Sequence, residues 1–428
     1  MQLAHVKELE KKYLLGTYSR YELLADRGTG AYLIDKSNKR YLDLLAGIAV
    51  NALGYNHPRI KQVLRKQIKR PIHVSNLIYH EYQGRLAEKL CKISGLDRAF
   101  FTNSGTESIE GCLKFARAYA RPKFRVLSLD QSFHGRTFGA LSATGQKQYR
   151  EQFEPLVPGF DFVKFDDTDD LERKLNDDVC ALLIETIQGE GGIRPISERF
   201  YRAARELTKR RGAVLIMDEI QCGLGRTGQW LAFHRFAPPT DKEMAPDMIA
   251  LAKPLGLGIP LGAVILNEKV AAAIQPGQHG TTFGGGPLAC RASLEYFNIL
   301  EEEKLLERAR TTGAYFKQRL EELKDLPVVK DVRGEGLMLA VELKISGKEI
   351  VKQLLQQGFI LNCTHETVLR LLPPFIITEK QIDKFVRALR PILERSTYEQ
   401  SQTAEPQDCV QRRPHPGSGR SSYRAGGL

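Results

Sequence analysis

Between residues 98 and 267, short aliphatic runs alternate with longer stretches in which apolar residues return every three or four positions. This alternation of two periods is typical of βα units, and it predicts a mostly parallel β-sheet flanked by helices such as 106–120. The predicted strands are RAFFTN (98–103), RVLSLD (125–130), CALLIET (180–186), AVLIMDE (213–219), MIALAK (248–253) and GAVILN (262–267).

The chain outside this region follows other patterns. An extended segment and two helices precede the sheet, and long amphipathic helices interrupted by strand-like runs follow it, which predicts a smaller α+β domain. The flanking elements are 31–45, 58–70, 81–93, 287–323, 328–343, 348–357, 367–373 and 378–394. The predicted parts are an N-terminal arm that belongs in part to the small domain (1–60), a large domain (61–287), a small domain (288–395) and a disordered tail rich in Ser, Gln, Pro, Arg and Gly (396–428).

Composition narrows the class of protein. The 428 residues are 42% hydrophobic and 27% charged, which permits a large core. The sequence contains no signal peptide, no apolar run long enough to span a bilayer and, among its seven cysteines, no CxxC pair. We therefore expect a cytoplasmic protein with no membrane anchor and no metal site.

The formal net charge of +12 does not by itself indicate nucleic acid. Lys and Arg are dispersed among acidic residues rather than gathered in a stripe, so we expect no nucleic-acid partner, and a positive field also suits small anions. Two alternatives stay open: RNA binding through the arginine-rich tail, and nucleotide binding by a Gly-rich turn. The second requires GxGxxG directly after the first strand of a βαβ unit, and no such placement is found.

Three strand ends carry polar side chains suited to a ligand. In FFTNSGTES (100–108), the free N–H groups of a helix start and two hydroxyls could cradle a phosphate, although Ser and Thr are equally common helix caps. Asp218 ends an apolar strand, and open α/β sheets bind ligands at the carboxyl ends of their strands. The alternative is that Asp218 only caps the start of a helix. Lys253 follows another strand, where partial desolvation would make it an amine nucleophile, while most lysines are surface charges.

Further candidates lie in SFHGRTFGALSATG (132–145) and in two Gly-rich loops. Phe133 could stack on a heteroaromatic ring and Arg136 could bind a carboxylate, with His134 between them. The loops at 185–192 and 279–290 hold Glu190 and a Thr-Thr pair, but glycine clusters usually indicate tight turns.

All of these segments, in this order, resemble the class-III, fold-type I aminotransferases. The resemblance covers about residues 20–392 and rests on stretches that are jointly highly specific. They are LLAGIAVNALGYNHP (44–58), VSNLIYHEYQGRLAEKL (74–90), NSGTES, SFHGRTFGALSATGQ, IQGEGGI, MDEIQCGLGRTG, LAKPLGLGIPLGA and HGTTFGGGPLAC.

The resemblance implies pyridoxal 5'-phosphate (PLP) as cofactor and a homodimer with the active site at the subunit interface. Lys253 is expected to bond the cofactor and Asp218 to pair with its ring nitrogen. The other expected cofactor contacts are Phe133 on the ring, Ser104, Gly105 and Thr106 at the phosphate, Gln221 near the phenolic oxygen, and Thr282 reaching the phosphate from the neighbouring subunit.

The resemblance also implies the reaction. The δ-amino group of N2-acetylornithine is expected to pass to 2-oxoglutarate, giving glutamate. Ornithine, succinylornithine, succinyldiaminopimelate and other ω-amino acids remain alternative donors, as does an aminomutase reaction. The residues expected to bind substrate are Arg136, Thr281, Arg370 and Glu190, the last two as a pair that opens for glutamate.

The chain departs from the family pattern at three positions, Thr186, Pro254 and Gly286. Family members commonly carry proline, a small residue and asparagine there. Pro254 matters most, because a residue before proline is biased towards extended backbone angles, which we therefore expect for Lys253.

Overall fold

The structure is a computed structural model that describes residues 2–403, with side chains described through residue 396. Its last helix continues to Thr403, past the predicted start of the tail at 396, and residues 404–428 of that predicted tail lie outside the described residues. Within 2–403, no helix is long and apolar enough to cross a membrane, and no group of His, Cys, Asp and Glu is arranged to hold a metal ion.

Strands and α-helices alternate along much of the described chain. The strands are β1 Ala25–Thr29, β2 Tyr32–Asp35, β3 Arg40–Asp43, β4 Arg98–Thr102, β5 Arg125–Leu129, β6 Phe160–Val163, β7 Val179–Glu185, β8 Ile187–Gln188, β9 Arg194–Pro195, β10 Val214–Asp218, β11 Met248–Leu251, β12 Gly262–Leu266, β13 Val329–Glu335, β14 Met338–Leu343, β15 Phe359–Ile360, β16 Asn362–Thr364 and β17 Val368–Leu371. The α-helices are α1 Leu3–Tyr13, α2 Ala46–Ala49, α3 Pro58–Gln67, α4 Glu81–Ser94, α5 Gly105–Tyr119, α6 Phe138–Ser142, α7 Lys147–Arg150, α8 Thr168–Lys174, α9 Glu198–Arg211, α10 Glu268–Ala271, α11 Pro287–Glu302, α12 Leu305–Glu321, α13 Lys348–Gln356 and α14 Glu379–Thr403.

A seven-stranded sheet forms the centre, in the order β4-β12-β11-β10-β7-β5-β6. Five neighbouring strands are parallel, while β12 runs antiparallel to both β11 and β4. The predicted α/β class and all six predicted strands are confirmed. The seventh strand, β6, was missed because its sequence FDFV is short and lies at the sheet edge, where only Val163 is fully buried.

Two smaller sheets complete the fold. Strands β13, β14, β17 and β16 form an antiparallel sheet in that order, and β15 joins the N-terminal strands by pairing in parallel with β3. The N-terminal strands are therefore tied to the C-terminal part of the chain, although the exact domain borders stay a prediction. The predicted helix 287–323 is instead two helices, because Lys304 takes a left-handed conformation with φ 50°.

Candidate active site

A cavity of about 450 Å³ opens where the parallel strands of the large sheet end. Such an edge is where open α/β sheets bind ligands, because helix starts and strand ends converge there. Separate segments of the chain bring eight of the predicted site residues to its wall. They are Ser104, Gly105, Thr106, Phe133, Arg136, Asp218, Gln221 and Lys253.

Asp218, the last residue of β10, is a buried carboxylate held by two hydrogen bonds. Its Oδ1 accepts from the Ile220 N–H at 3.0 Å, and its Oδ2 lies 2.8 Å from Nδ1 of His134. An ionised carboxylate only accepts hydrogen bonds, so this contact requires the proton on Nδ1 whenever Asp218 is charged. Nε2 of His134 is buried without a partner. The sequence placed His134 beside Phe133 but gave it no role, and its contact orients Asp218.

Glu185 is a second buried acid beside Asp218, and the sequence did not single it out. The two residues pair in register across β7 and β10. Glu185 accepts hydrogen bonds from the Phe133 N–H at 3.0 Å and the Gly189 N–H at 3.1 Å. Burial, together with the charge of Asp218, raises the pKa of Glu185 well above its usual value. Glu185 therefore tends to hold a proton, which avoids two adjacent buried charges.

Lys253 follows β11 and begins a short 3-10 turn, Lys253–Leu255. Its φ is 46°, so the expectation of extended backbone is wrong. The restriction before proline disfavours the right-handed helical region, and Lys253 takes the left-handed one, while Pro254 fits the first turn that follows. Burial lowers the pKa of Lys253, and the charge of Arg370 adds to this against the opposing charge of Asp218. A lowered pKa increases the fraction of free, nucleophilic amine.

The start of α5 forms one wall of the cavity. Ser104 caps the helix, since its hydroxyl accepts from the Glu107 N–H at 3.3 Å, and this leaves the N–H groups of Gly105 and Thr106 without intrahelical partners. A Cβ on Gly105 would lie 3.0 Å from side-chain carbons of Ile220, so the wall is tight at this point. Helix starts of this kind bind phosphate.

Arg370, in β17, is 1% exposed and meets three side chains beside the cavity. Its Nη1 donates to Oε1 of Glu190 and, at 3.3 Å, to Oε1 of Gln221, and its Nε donates to Asn362 at 3.1 Å. Burial acts to raise the pKa of Glu190, but the charge and hydrogen bond of Arg370, together with the charge of Lys253, outweigh it, and the pKa is lowered. The expected pair is thus in contact as an ion pair.

Arg136 and the two threonines lie further out. Arg136 is exposed at the cavity wall, with Cζ 4.1 Å from the ring centre of Tyr149. Thr281 and Thr282 do not line the cavity of their own chain: Thr281 accepts from Nδ2 of Asn103 at 3.0 Å, and Thr282 is exposed. Asn103, which does line the cavity, was missed although it directly precedes the Ser-Gly-Thr turn.

The sequence of the chain is similar to those of known proteins. The model of the family Aminotransferase class-III matches residues 17–393. The acetylornithine aminotransferase of Methanocaldococcus jannaschii is 44% identical over 392 residues, covering 89% of this chain and 96% of the relative, and that of Aquifex aeolicus is 45% identical over 386 residues, covering 89% and 100%.

Solved structures agree with this. An ornithine aminotransferase from Toxoplasma gondii ME49 is similar with a TM-score of 0.88 and 30% identity, covering 93% of this chain and 96% of that one. The acetylornithine aminotransferase from Elizabethkingia anophelis is similar with a TM-score of 0.81 and 28% identity, covering 92% and 99%.

Proposed function

The chain belongs to the class-III aminotransferase family, and from this premise we propose that it moves the δ-amino group of N2-acetyl-L-ornithine to 2-oxoglutarate. The products are N-acetyl-L-glutamate 5-semialdehyde and L-glutamate. The proposal is supported by relatives that carry the name acetylornithine aminotransferase and reach 45% identity over most of the chain.

The observation that carries the proposal is the convergence of three groups in one cavity: the Lys253 amine, the Asp218 carboxylate and the start of α5. These groups complement an aldehyde, a protonated ring nitrogen and a phosphate, which PLP combines in one molecule. A cavity of about 450 Å³ is large enough for such a ligand. When bound, PLP supplies an electron sink for the carbon that carries the amino group.

Each group of the chain has a separate task in holding this cofactor. Asp218, oriented by His134, balances the positive charge of the ring nitrogen, since a buried carboxylate is stable next to a cation. The N–H groups of Gly105 and Thr106, with the Ser104 turn, bind the phosphate. Phe133 stacks on the ring, and its backbone is fixed by Glu185.

Lys253 would hold the cofactor through its Nζ until the amine of the substrate displaces it. The lowered pKa of Nζ favours the free amine, so the released Nζ could take the proton from the substrate carbon that bears the transferred amino group. The same Nζ would then deliver that proton to the cofactor carbon it had held. Gln221, which accepts a hydrogen bond from Arg370 at 3.3 Å, is assigned to the phenolic oxygen of the ring.

The enzyme must accept a basic donor and a dicarboxylate acceptor in one site. We assign this to Arg370 and Glu190: their contact neutralises the arginine while the donor is bound, and its opening frees the guanidinium for the second carboxylate of 2-oxoglutarate. Arg136 and Thr281 are assigned to the remaining substrate contacts.

Removing the arginine should separate the two half-reactions. We expect Arg370→Ala to raise KM for 2-oxoglutarate by about ten-fold or more, because a charge-assisted hydrogen bond contributes roughly 1.5–3 kcal/mol. The donor half-reaction should change much less. Single-turnover kinetics of each half-reaction measure this, with Glu190→Gln as the companion variant that frees Arg370. Unchanged glutamate half-reaction kinetics in Arg370→Ala would contradict the assignment.

We propose a cytoplasmic homodimer that completes this site. Leu77, Ile78 and Tyr79 expose apolar side chains, and the neighbouring Asn76 donates to the backbone of Thr281 at 3.0 Å. An exposed apolar patch next to the Thr-Thr loop is what a subunit interface requires, and it would let Thr282 reach the partner's phosphate site. The six described cysteines are free, which fits a reducing compartment.

A substrate panel tests the donor. Purified enzyme with 2-oxoglutarate is offered N-acetylornithine, N-succinylornithine, ornithine, N-succinyldiaminopimelate and 4-aminobutyrate, and kcat/KM is measured for each. We expect N-acetylornithine to be preferred. Strong preference for free ornithine would overturn the choice of donor while leaving the aminotransferase chemistry intact.

A further inference from the structure

A second cavity, of about 610 Å³, lies behind the loop that carries Glu190. One wall comes from the large-sheet side of the chain, including Phe165 and Arg194, and the other from the small antiparallel sheet, including Arg333 and His365. We call it the Arg194 groove. It shares no residue with the wall of the active-site cavity.

The groove is rich in cations, and they differ in their partners. Lys330 and Arg333 both bind Glu342, and Arg333 also donates to the Gly192 carbonyl at 2.7 Å. Arg194 instead lies over Phe165, with Cζ 3.8 Å from the ring centre. Among the described side chains, no carboxylate forms an ion pair with it, so its fork of N–H donors is fixed and free to bind.

The electrostatics of the groove point the same way. Burial lowers the pKa of Arg194, and the positive charge of Arg333 adds to that effect, while the charges of Glu342, Asp166 and Asp130 act against it. Burial also lowers the pKa of His365, and the positive charge of Arg194 lowers it further. Since arginine stays protonated in proteins, the groove wall carries three cations, Lys330, Arg333 and Arg194, against one lining carboxylate, Glu342. Asp331, outside the wall, also pairs with Arg333 at 3.3 Å. An anion is the ligand that this field attracts.

The groove and the active site lie on two sides of the same loop. Gly191 lines the groove, and its neighbour Glu190 binds Arg370. On β17, Val368 lines the groove and Arg370 stands two residues further along the same face. A ligand that fixes the loop on the groove side therefore acts on the Glu190 contact with Arg370.

We propose that the Arg194 groove binds a small multivalent anion, a phosphate or a dicarboxylate, and that the bound anion keeps Glu190 on Arg370. The anion bridges Arg194, next to the loop, and the small-sheet wall at Arg333 and His365. It thereby opposes opening of the pair and weakens use of the dicarboxylate acceptor. Anion binding itself does not depend on the proposed reaction, whereas the kinetic effect rests on it.

The test uses PLP-loaded enzyme, so that the cofactor's phosphate site is filled, at constant ionic strength set with chloride. Calorimetric titrations with inorganic phosphate and, separately, succinate distinguish the two sources of anion. Arg194→Gln removes the proposed ligand. Arg40→Gln is the matched control, because Arg40 also stacks on an aromatic ring, Tyr32 at 4.3 Å, but lies outside the groove.

We expect at least one of the two anions to bind the unchanged enzyme and the Arg40→Gln variant equally, and its Kd to rise about ten-fold or more in Arg194→Gln. The same anion should raise KM for 2-oxoglutarate more in the first two proteins than in the third. Absence of binding, or equal binding by all three, overturns the site. Binding that leaves KM unchanged overturns its coupling to Arg370.

Discussion

Replacing Lys253 with alanine is expected to lower turnover by about 10⁴-fold, the upper end of what a positioned proton-transfer group contributes. The side chain is assigned both the covalent bond to the cofactor and the proton transfer, so that one substitution removes two functions. The variant should still bind PLP weakly, because the phosphate contacts proposed at Gly105 and Thr106 and the Asp218 carboxylate are intact. Single-turnover kinetics and absorbance spectra of the cofactor measure the two effects separately.

Lys147→Ala is the control for this experiment. Lys147 is an exposed lysine that pairs with Glu151, and it lies outside the cavity wall. It should keep full activity. A Lys253→Ala enzyme that still turns over would remove the lysine from its assigned role.

Replacing Asp218 with asparagine is expected to lower kcat on the order of 10²-fold, because a charge-assisted hydrogen bond is worth roughly 1.5–3 kcal/mol and each 1.36 kcal/mol is a factor of ten. Asparagine has nearly the same shape and can still accept the Ile220 N–H bond. What it lacks is the negative charge that we propose keeps the ring nitrogen protonated. The loss should therefore appear in kcat and in the cofactor spectrum more than in thermal stability.

Asp161→Asn provides the matched comparison, since Asp161 pairs with Arg125 near the surface, outside the cavity wall. It removes one carboxylate without touching the cavity. Equal kcat in Asp218→Asn and Asp161→Asn would show that the charge at 218 is not needed.

The central sheet could be predicted because its strands are almost purely apolar. Strand β7 and strand β10 are buried along their whole length, so their composition carries the signal directly. The sequence did not predict the break between α11 and α12, and the reason is physical. The helix break at Lys304 lies within EEEKLLER, whose residues all favour helix, and only the left-handed backbone at that lysine ends the first helix.

The backbone conformation of individual residues was the feature hardest to predict from the sequence. Residues 46–49, introduced as α2, form a left-handed turn rather than a right-handed helix: their φ values lie between 50° and 67°, and only Gly47 among them favours that region. This turn leads to Val50 on the cavity wall. The positive φ of Lys253 was equally hidden, because proline after a residue excludes one conformation without selecting between the others.

Some features of the candidate site could be predicted from the sequence, and others could not. Asp218 and Lys253 could be placed together from the sequence, because the ends of neighbouring parallel strands meet at one edge. The pairing of Arg370 with Glu190 spans 180 residues and came from the resemblance alone. The hydrogen bond from His134 to Asp218 and the raised pKa of Glu185 depend on packing across strands, which no local pattern encodes.

The most direct test of the account is to find which amine holds the cofactor. The purified, PLP-loaded protein is reduced with sodium borohydride, digested and mapped by mass spectrometry. We expect a single pyridoxyl-phosphate label, on the peptide that contains Lys253. A label on another lysine, or a protein that takes up none, would contradict the central claim.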